Sequence, residues 1–209
     1  MAENPDHSGD YATPADDNLL IHDALPKDHD AVVSLTLSAN MEYVPVLSLD
    51  WWRAYSQNVI ETLAAGAPGT SIVAELSGGL VGSVLLLPAE VHEAGWPEIR
   101  LLAVDPRARG RRIASTLMAE CLRRVRLQGA PTLGIHTMEL MTTARRLYER
   151  LGFVRAPEHD FDPGVGPVVQ GYRLDLDQDP RRRDVRGAGW ARCGELPEAV
   201  FDPITPGVS

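Results

Sequence analysis

The feature that most limits the fold lies between Glu98 and Phe153. A short β-prone run, EIRLLAV from Glu98 to Val104, leads into the Asp105-Pro106 turn, an arginine- and glycine-containing loop, and an amphipathic helix from Arg112 to Gln128. Ile113, Leu117, Cys121, Leu122 and Val125 fall on one face of that helix and arginines on the other. Gly129 and Pro131 stop it, Leu133 to Thr137 reads as a strand, and Thr142 to Leu151 reads as a helix closed by Gly152. Strand, helix and strand in that order need a crossover connection. Part of the sheet is therefore expected to be parallel, with helices packed on its faces.

The flanking pattern extends this sheet. Leu19 to His22 reads as a first strand. Pro26 and Asp28 start a helix whose apolar stripe is Ala31, Val32, Leu35 and Leu37. Asn40 to Leu49 contains Pro45 and reads as an irregular connection, after which Asp50 is the expected N-cap of a helix carrying Trp51, Trp52, Tyr55, Val59, Ile60 and Leu63. Ser71 to Leu76 and Leu80 to Leu87 flank Ser77-Gly78-Gly79, a tight hairpin signal. Phe153 to Arg155 and Val168 to Leu176 close the series as strands. The expected organisation is an acidic, unstructured head over residues 1–18, one α/β domain over 19–176, and an extension over 177–209 where apolar density falls.

Charge and composition narrow the function classes. The 209 residues carry 29 acids against 20 Lys and Arg, a formal net charge of -9. That balance argues against bulk nucleic-acid binding, which needs local positive charge. No apolar run approaches the ~20 residues of a membrane span. The acidic N-terminus lacks the apolar core of a secretory signal, and two cysteines, Cys121 and Cys193, cannot form a disulfide framework. A cytoplasmic location is the resulting expectation. Positive charge is nonetheless concentrated: Arg107, Arg109, Arg111, Arg112, Arg123, Arg124 and Arg126 face only Glu120 within their segment. Lys27 is the sole lysine, so this charge is guanidinium, which suits phosphate. An arginine-biased composition accounts for it equally well. The segment opens a helix, whose first N–H groups lack partners and carry about half a positive charge. Gly110 permits close backbone approach there, and small Ala114 leaves room over the first turn. The sequence has no Walker lysine motif and no G-x-G-x-x-G.

Two motifs in this stretch resemble those of the GCN5-related N-acetyltransferase (GNAT) family. Val104-Asp105-Pro106 and Arg109-Gly110-Arg111-Arg112-Ile113-Ala114 are similar to the family's strand-ending turn and phosphate loop. Ala144-Arg145-Arg146-Leu147-Tyr148-Glu149-Arg150-Leu151-Gly152-Phe153 is similar to its second signature. The resemblance implies a mixed central sheet of about six to seven strands flanked by about four helices, with a V-shaped gap between strands four and five, here Glu98–Val104 and Leu133–Thr137. It implies acetyl-coenzyme A as cosubstrate, its pyrophosphate on the backbone of Arg109, Gly110, Arg111, Arg112, Ile113, Ala114 and Ser115. Its pantetheine would pair with Leu102 and Val104, and the Val104 N–H would polarise the thioester carbonyl. Two positions depart from the pattern: Arg112 stands at a usual glycine, which is costly if that residue needs a positive φ, and Met141 stands at a usual asparagine.

The implied chemistry is direct acetyl transfer to an amine, which needs one deprotonation and one protonation. Glu98 is the expected base; on a regular strand it shares a face with Arg100, Leu102 and Val104. His136, on the opposing strand, is the rival. Tyr148 is the expected acid toward the departing thiolate, by the same resemblance. Glu42 and Tyr43, with Trp51, Trp52 and Tyr55 behind them, are the expected acceptor wall. The six histidines show no metal-ligand spacing, and no metal is expected. The reading reached is an acetyl-CoA-dependent N-acetyltransferase of a small-molecule primary amine, with no nucleic-acid or membrane partner and a possible homodimer. The alternatives are a protein or peptide N-acetyltransferase, or a catalytically weak acyl-CoA-binding regulatory module.

Overall fold

The computed structural model describes residues 18–177 apart from residue 65. The head before Asn18 and the extension after Asp177, with Cys193, lie outside the described residues. In chain order the elements are β1 (Leu19–Asp23), α1 (His29–Asn40), α2 (Leu49–Thr62), β2 (Thr70–Leu76), β3 (Gly79–Leu87) and β4 (Glu98–Val104). They continue with α3 (Ile113–Gln128), β5 (Thr132–Met138), α4 (Thr142–Arg150), β6 (Val154–Arg155) and β7 (Val169–Asp175). A 3-10 turn over Met41–Tyr43 interrupts the connection read from sequence as irregular. Helix α2 is capped by Ser48, whose hydroxyl accepts from the Trp51 N–H at 3.1 Å, and not by Asp50. Both residue types cap well, and the backbone of Ser48 is the one in the extended conformation a cap requires. No helix among the described residues is long and apolar enough to cross a membrane.

The strands form one seven-stranded sheet in the order β1-β2-β3-β4-β5-β7-β6. Every pairing is antiparallel except β4 with β5. The β2–β3 hairpin turns at Ser77 (φ +51°) and Gly78 (φ +82°), the left-handed pair its twist requires. The faces of the sheet bury separate clusters. Ile72, Val84, Leu86, Ile99 and Leu133 meet α3 and α4 through Ile113, Leu117, Cys121, Val125 and Leu147. On the other face Val73, Leu85 and Leu87 meet Val32 of α1 and Val59 of α2. Helix α3 approaches closely because β3 has a glycine beneath its first turn. A Cβ on Gly82 would lie 2.7 Å from Ile113 Cγ2 and 3.1 Å from Leu117 Cδ1.

Two irregularities at the centre shape the site. The β4–β5 ladder holds only Glu98↔Gly134 and Ile99↔Ile135, after which the strands part. Strand β4 also bulges. Arg100 opposes Leu85 and Ala103 opposes Ser83, so Leu101 and Leu102 together face Val84, with Leu101 at φ +52°. The extra residue reverses the alternation. Glu98 and Arg100, opposite Leu87 and Leu85, lie on the α1–α2 face, whereas Leu102 and Val104 pack into the α3 cluster. The single shared face expected for Glu98, Arg100, Leu102 and Val104 is therefore not formed, because strict period-two spacing ends at Leu101.

Candidate active site

The splay is edged by β4 backbone. Asp105 donates its N–H to Val81 O of β3 at 2.9 Å. Alternate residues of a strand turn the same way, so Leu102 and Val104 direct their N–H and C=O groups to the opposite edge, into the gap toward β5. The loop that follows is held by its own carboxylate. Asp105 accepts from Arg107 at the backbone N–H (2.9 Å), Nε (3.1 Å) and an Nη (2.7 Å). These bonds hold its carboxyl well below the usual range, at about 2.

Beyond that turn the backbone assumes the geometry of an anion cradle. Gly110 has φ +82°, and open space lies beside its Cα. Arg112 is the N-cap of α3 at φ +60°, ψ +13°. No side chain caps the helix, whose first internal N–H bond runs from Thr116 to Arg112 O. The N–H groups of Ile113, Ala114 and Ser115 therefore have no partner within the helix. Three adjacent donors at the positive end of a 16-residue helix suit a phosphate. The guanidinium groups contribute less than sequence alone implies. Arg107 is taken by Asp105, while Arg123 and Arg124 both bind Glu120 at 2.7 Å.

The side chains of Arg109, whose backbone is expected at the coenzyme, and Glu42, expected at the acceptor, pair with each other. Both carboxylate oxygens of Glu42 accept from Arg109, at 2.8 and 2.9 Å, and Arg109 also donates to Ala39 O at 3.1 Å. The pair braces the cradle loop against the end of α1. Each Glu42 oxygen is thereby engaged once, while the side chain stays half-exposed; Tyr43 and the aromatics behind it make up the rest of the expected acceptor wall. Trp51 stacks on Tyr55 with centroids 4.9 Å apart.

The conformation of Arg112 gives a direct test of the departure from the usual glycine. A β-carbon at positive φ costs ~1–2 kcal/mol, of which glycine's extra unfolded-state entropy returns about half. Arg112→Gly should therefore stabilise the protein by roughly 0.5 kcal/mol, a rise in Tm of about 1–2 °C in a chain this long. A fall in Tm by calorimetry would show that the arginine side chain compensates for its backbone.

Glu98 is buried, with 5% exposure, beneath the point where the strands part. Its Oε1 lies 2.6 Å from His136 Nδ1, and the far nitrogen of that ring, Nε2, is 2.9 Å from the His159 carbonyl. Oε1 is also 3.9 Å from Arg100 Nε, and Oε2 is 3.8 Å from His92 Nε2. Burial pushes the Glu98 carboxyl up, but the His136 hydrogen bond and the charges of Arg100, His136 and His92 outweigh it, and the net shift is downward. Burial pulls His136 down, yet Glu98 and the His159 carbonyl reverse that and raise it. His92 is lowered, chiefly by burial. Trp96 lies over Gly134, where a Cβ would meet the indole Nε1 at 2.5 Å, and its edge meets His159 at a centroid distance of 4.7 Å. Phe161 packs edge-on to His136 at 5.5 Å.

Sequence reasoning named Glu98 and His136 but missed His92, Trp96, His159 and Phe161. They come from two separate loops, before β4 and after β6, and share no motif spacing with Glu98 and His136. The ligand atoms of His92, Glu98 and His136 all lie within 4.8 Å of one another, a convergence that chain spacing does not show.

Tyr148 approaches from the other face. It is buried on α4, packs against Phe153 at a centroid distance of 6.1 Å, and its hydroxyl makes no hydrogen bond among the described residues. Burial raises its pKa, and the nearby Tyr43 raises it further. The structure thus brings Tyr43 and Tyr148 into electrostatic reach, with Glu98 on the opposite side of the sheet. Met141, at the usual asparagine, offers its sulfur to the Thr137 hydroxyl at 3.6 Å.

Comparison with known proteins agrees with this architecture. The model of the acetyltransferase (GNAT) family matches residues 36–153. The chain belongs to the GNAT family. A mycothiol acetyltransferase from Sanguibacter keddieii is 37% identical to this GNAT chain over 93 residues, covering 42% of the chain and 29% of that relative. The match thus spans less than a third of the relative's length. Among solved structures, a PaiA N-acetyltransferase from Thermoplasma acidophilum in complex with coenzyme A is 13% identical, with a TM-score of 0.58 over 75% of this chain and 99% of its own. A GNAT-family acetyltransferase from Brucella melitensis in complex with acetyl-CoA is 22% identical, with a TM-score of 0.54 over 76% and 88%. At these identities the likeness bears on the fold. The GNAT architecture expected from the motifs, with its mixed sheet, four helices and splayed central strands, is the one observed.

Proposed function

We propose that this GNAT protein is an acetyl-CoA-dependent N-acetyltransferase that transfers acetyl directly to a primary amine of a small molecule. The observation that carries the reading is the splay itself, which has strand-edge donors on one side, an uncapped helix N-terminus at its mouth and a buried carboxylate at its floor. Acetyl-CoA would supply the activated acetyl thioester. The N–H groups of Ile113, Ala114 and Ser115, with the backbone of Arg109 to Arg112, suit its pyrophosphate. Leu102 and Val104 would align the pantetheine as an added strand, with the Val104 N–H polarising the thioester carbonyl. Glu98 takes the proton of the incoming ammonium, and Tyr148 donates toward the departing sulfur. The aromatic surroundings of both the floor and Tyr43 favour a compact acceptor over a peptide.

The test joins binding to turnover. A ligand that binds only the folded state stabilises it by mass action, by about 2.7 kcal/mol at a hundredfold excess over Kd. Acetyl-CoA at millimolar concentration should raise Tm by several degrees, while adenine without phosphates should not. Turnover should then appear on a panel of small amines and be weak on peptides. No thermal shift would remove the cosubstrate assignment. Binding without acetylation of any amine would turn the reading toward a regulatory acyl-CoA module.

A further inference from the structure

We propose that His136 is a positioning residue that holds Glu98 as an ionised carboxylate and leaves Oε2 as the oxygen that takes the acceptor's proton. The inference rests on the reading of Glu98 as the base. It begins with a proton count. The His159 carbonyl can only accept, so His136 Nε2 carries a hydrogen. The 2.6 Å contact between His136 Nδ1 and Glu98 Oε1 needs one more. The pair therefore holds two protons on its facing and outer positions, as imidazolium with carboxylate or as two neutral groups. The other neighbours decide between these. Arg100, on the same strand, sets its guanidinium 3.9 Å from Oε1. His92, from the loop before β4, accepts the Ala94 N–H on Nδ1 at 3.1 Å, which leaves its own proton on Nε2, facing Oε2 at 3.8 Å. His159 contributes its carbonyl to His136 and its ring to Trp96 and His92. Every group facing Glu98 thus presents a positive charge or an N–H, which favours the charged form of the pair.

The same count separates this arrangement from a cation site. Three ligand atoms within 4.8 Å could enclose a divalent ion only if both imidazoles turned lone pairs inward. His136 has the outer Nε2–H···O=C bond typical of a metal ligand. His92 does not, because the nitrogen facing Glu98 bears its proton. What remains is a carboxylate with one oxygen bound and braced, and a second with no hydrogen-bond partner among the described residues.

His136→Asn tests the role. Its amide stands near the position of Nδ1 and keeps a donor to Glu98 while removing the cation. Burial then weighs more, and the Glu98 carboxyl should rise. A new acidic limb should appear above that of the wild type. Read as the ratio of variant to wild-type kcat/KM, it should fall tenfold per pH unit below the new value, with the loss shrinking as pH rises. Independently, nitrogen chemical shifts of the wild-type imidazoles at pH 7 should show His136 protonated on both nitrogens and His92 on Nε2 alone. This measurement decides if His136→Asn fails to fold. A ratio independent of pH while Glu98→Gln is crippled, or a singly protonated His136, would overturn the proposal. A fully active Glu98→Gln beside a doubly protonated His136 would instead overturn the base reading, and the role of His136 with it. Stoichiometric zinc should leave both rings unchanged; shifts of both would overturn the proposal in favour of a cation site.

Discussion

Glu98→Gln should lower kcat/KM by about 10²- to 10³-fold at pH 6, within the usual range for a general base. The fold should survive the change. With His136 neutral and its proton on Nε2, the glutamine amide can donate to Nδ1, so both hydrogen bonds at that ring persist and no buried charge is stranded. The defect should depend on pH in a defined direction. An alkylamine with a pKa near 10 is almost wholly protonated at pH 6, and the fraction that reacts unaided grows tenfold per unit. The gap between variant and wild type should therefore narrow as pH rises toward the pKa of the acceptor. Because the Glu98 carboxyl is held below its ordinary value, the wild type should itself show no loss from Glu98 protonation across the neutral range. Rates on one amine from pH 6 to 9.5 check both statements, and a gap that widens with pH would exclude the base role.

Tyr148→Phe should lower kcat by about 10²-fold while leaving the affinity for acetyl-CoA and the Tm nearly unchanged. The ring is what packs against Phe153, and it remains. Its hydroxyl makes no hydrogen bond among the described residues, so removing it strands no partner. The raised pKa keeps the phenol protonated through any working pH. A strongly held proton is a weak one to give away. However, burial that discourages a phenolate discourages a free thiolate equally, so the transfer is set by proximity more than by bulk acidity. Single-turnover rates with acetyl-CoA isolate this step, and an unchanged rate would assign Tyr148 to packing alone.

What could be read from the sequence was what is contiguous. Helix α3 shows in its own periodicity, because it buries one face against the sheet; strand β4 shows as a short β-prone run, and the phosphate loop through its motif. The β2–β3 hairpin shows because Ser77-Gly78-Gly79 has few other uses. Three features were invisible for physical reasons. The bulge at Leu101 carries no glycine or proline to mark it, so period-two reasoning ran through it and placed Glu98 on the wrong face. The Arg109–Glu42 brace joins residues that no local rule relates; read separately, each looked like a ligand contact. The histidines around Glu98 come from the loop before β4, from β5 and from the turn over Pro157–His159, and only the closing of the sheet collects them. The conformation of Arg112 lies between these cases. An arginine there is costly only at positive φ, and its φ is positive.

The bulge in β4 also divides one strand between two lineages of change. Glu98 and Arg100 before the bulge face α1 and α2, and Leu102 and Val104 after it face α3, so neither set constrains the side chains of the other. Substitutions at Arg100 can accumulate on the α1–α2 face while the α3 half of the strand is left untouched. Deleting a single residue at 101 would instead merge the two, turning Glu98 toward α3 and exchanging the audiences of the whole first half of the strand.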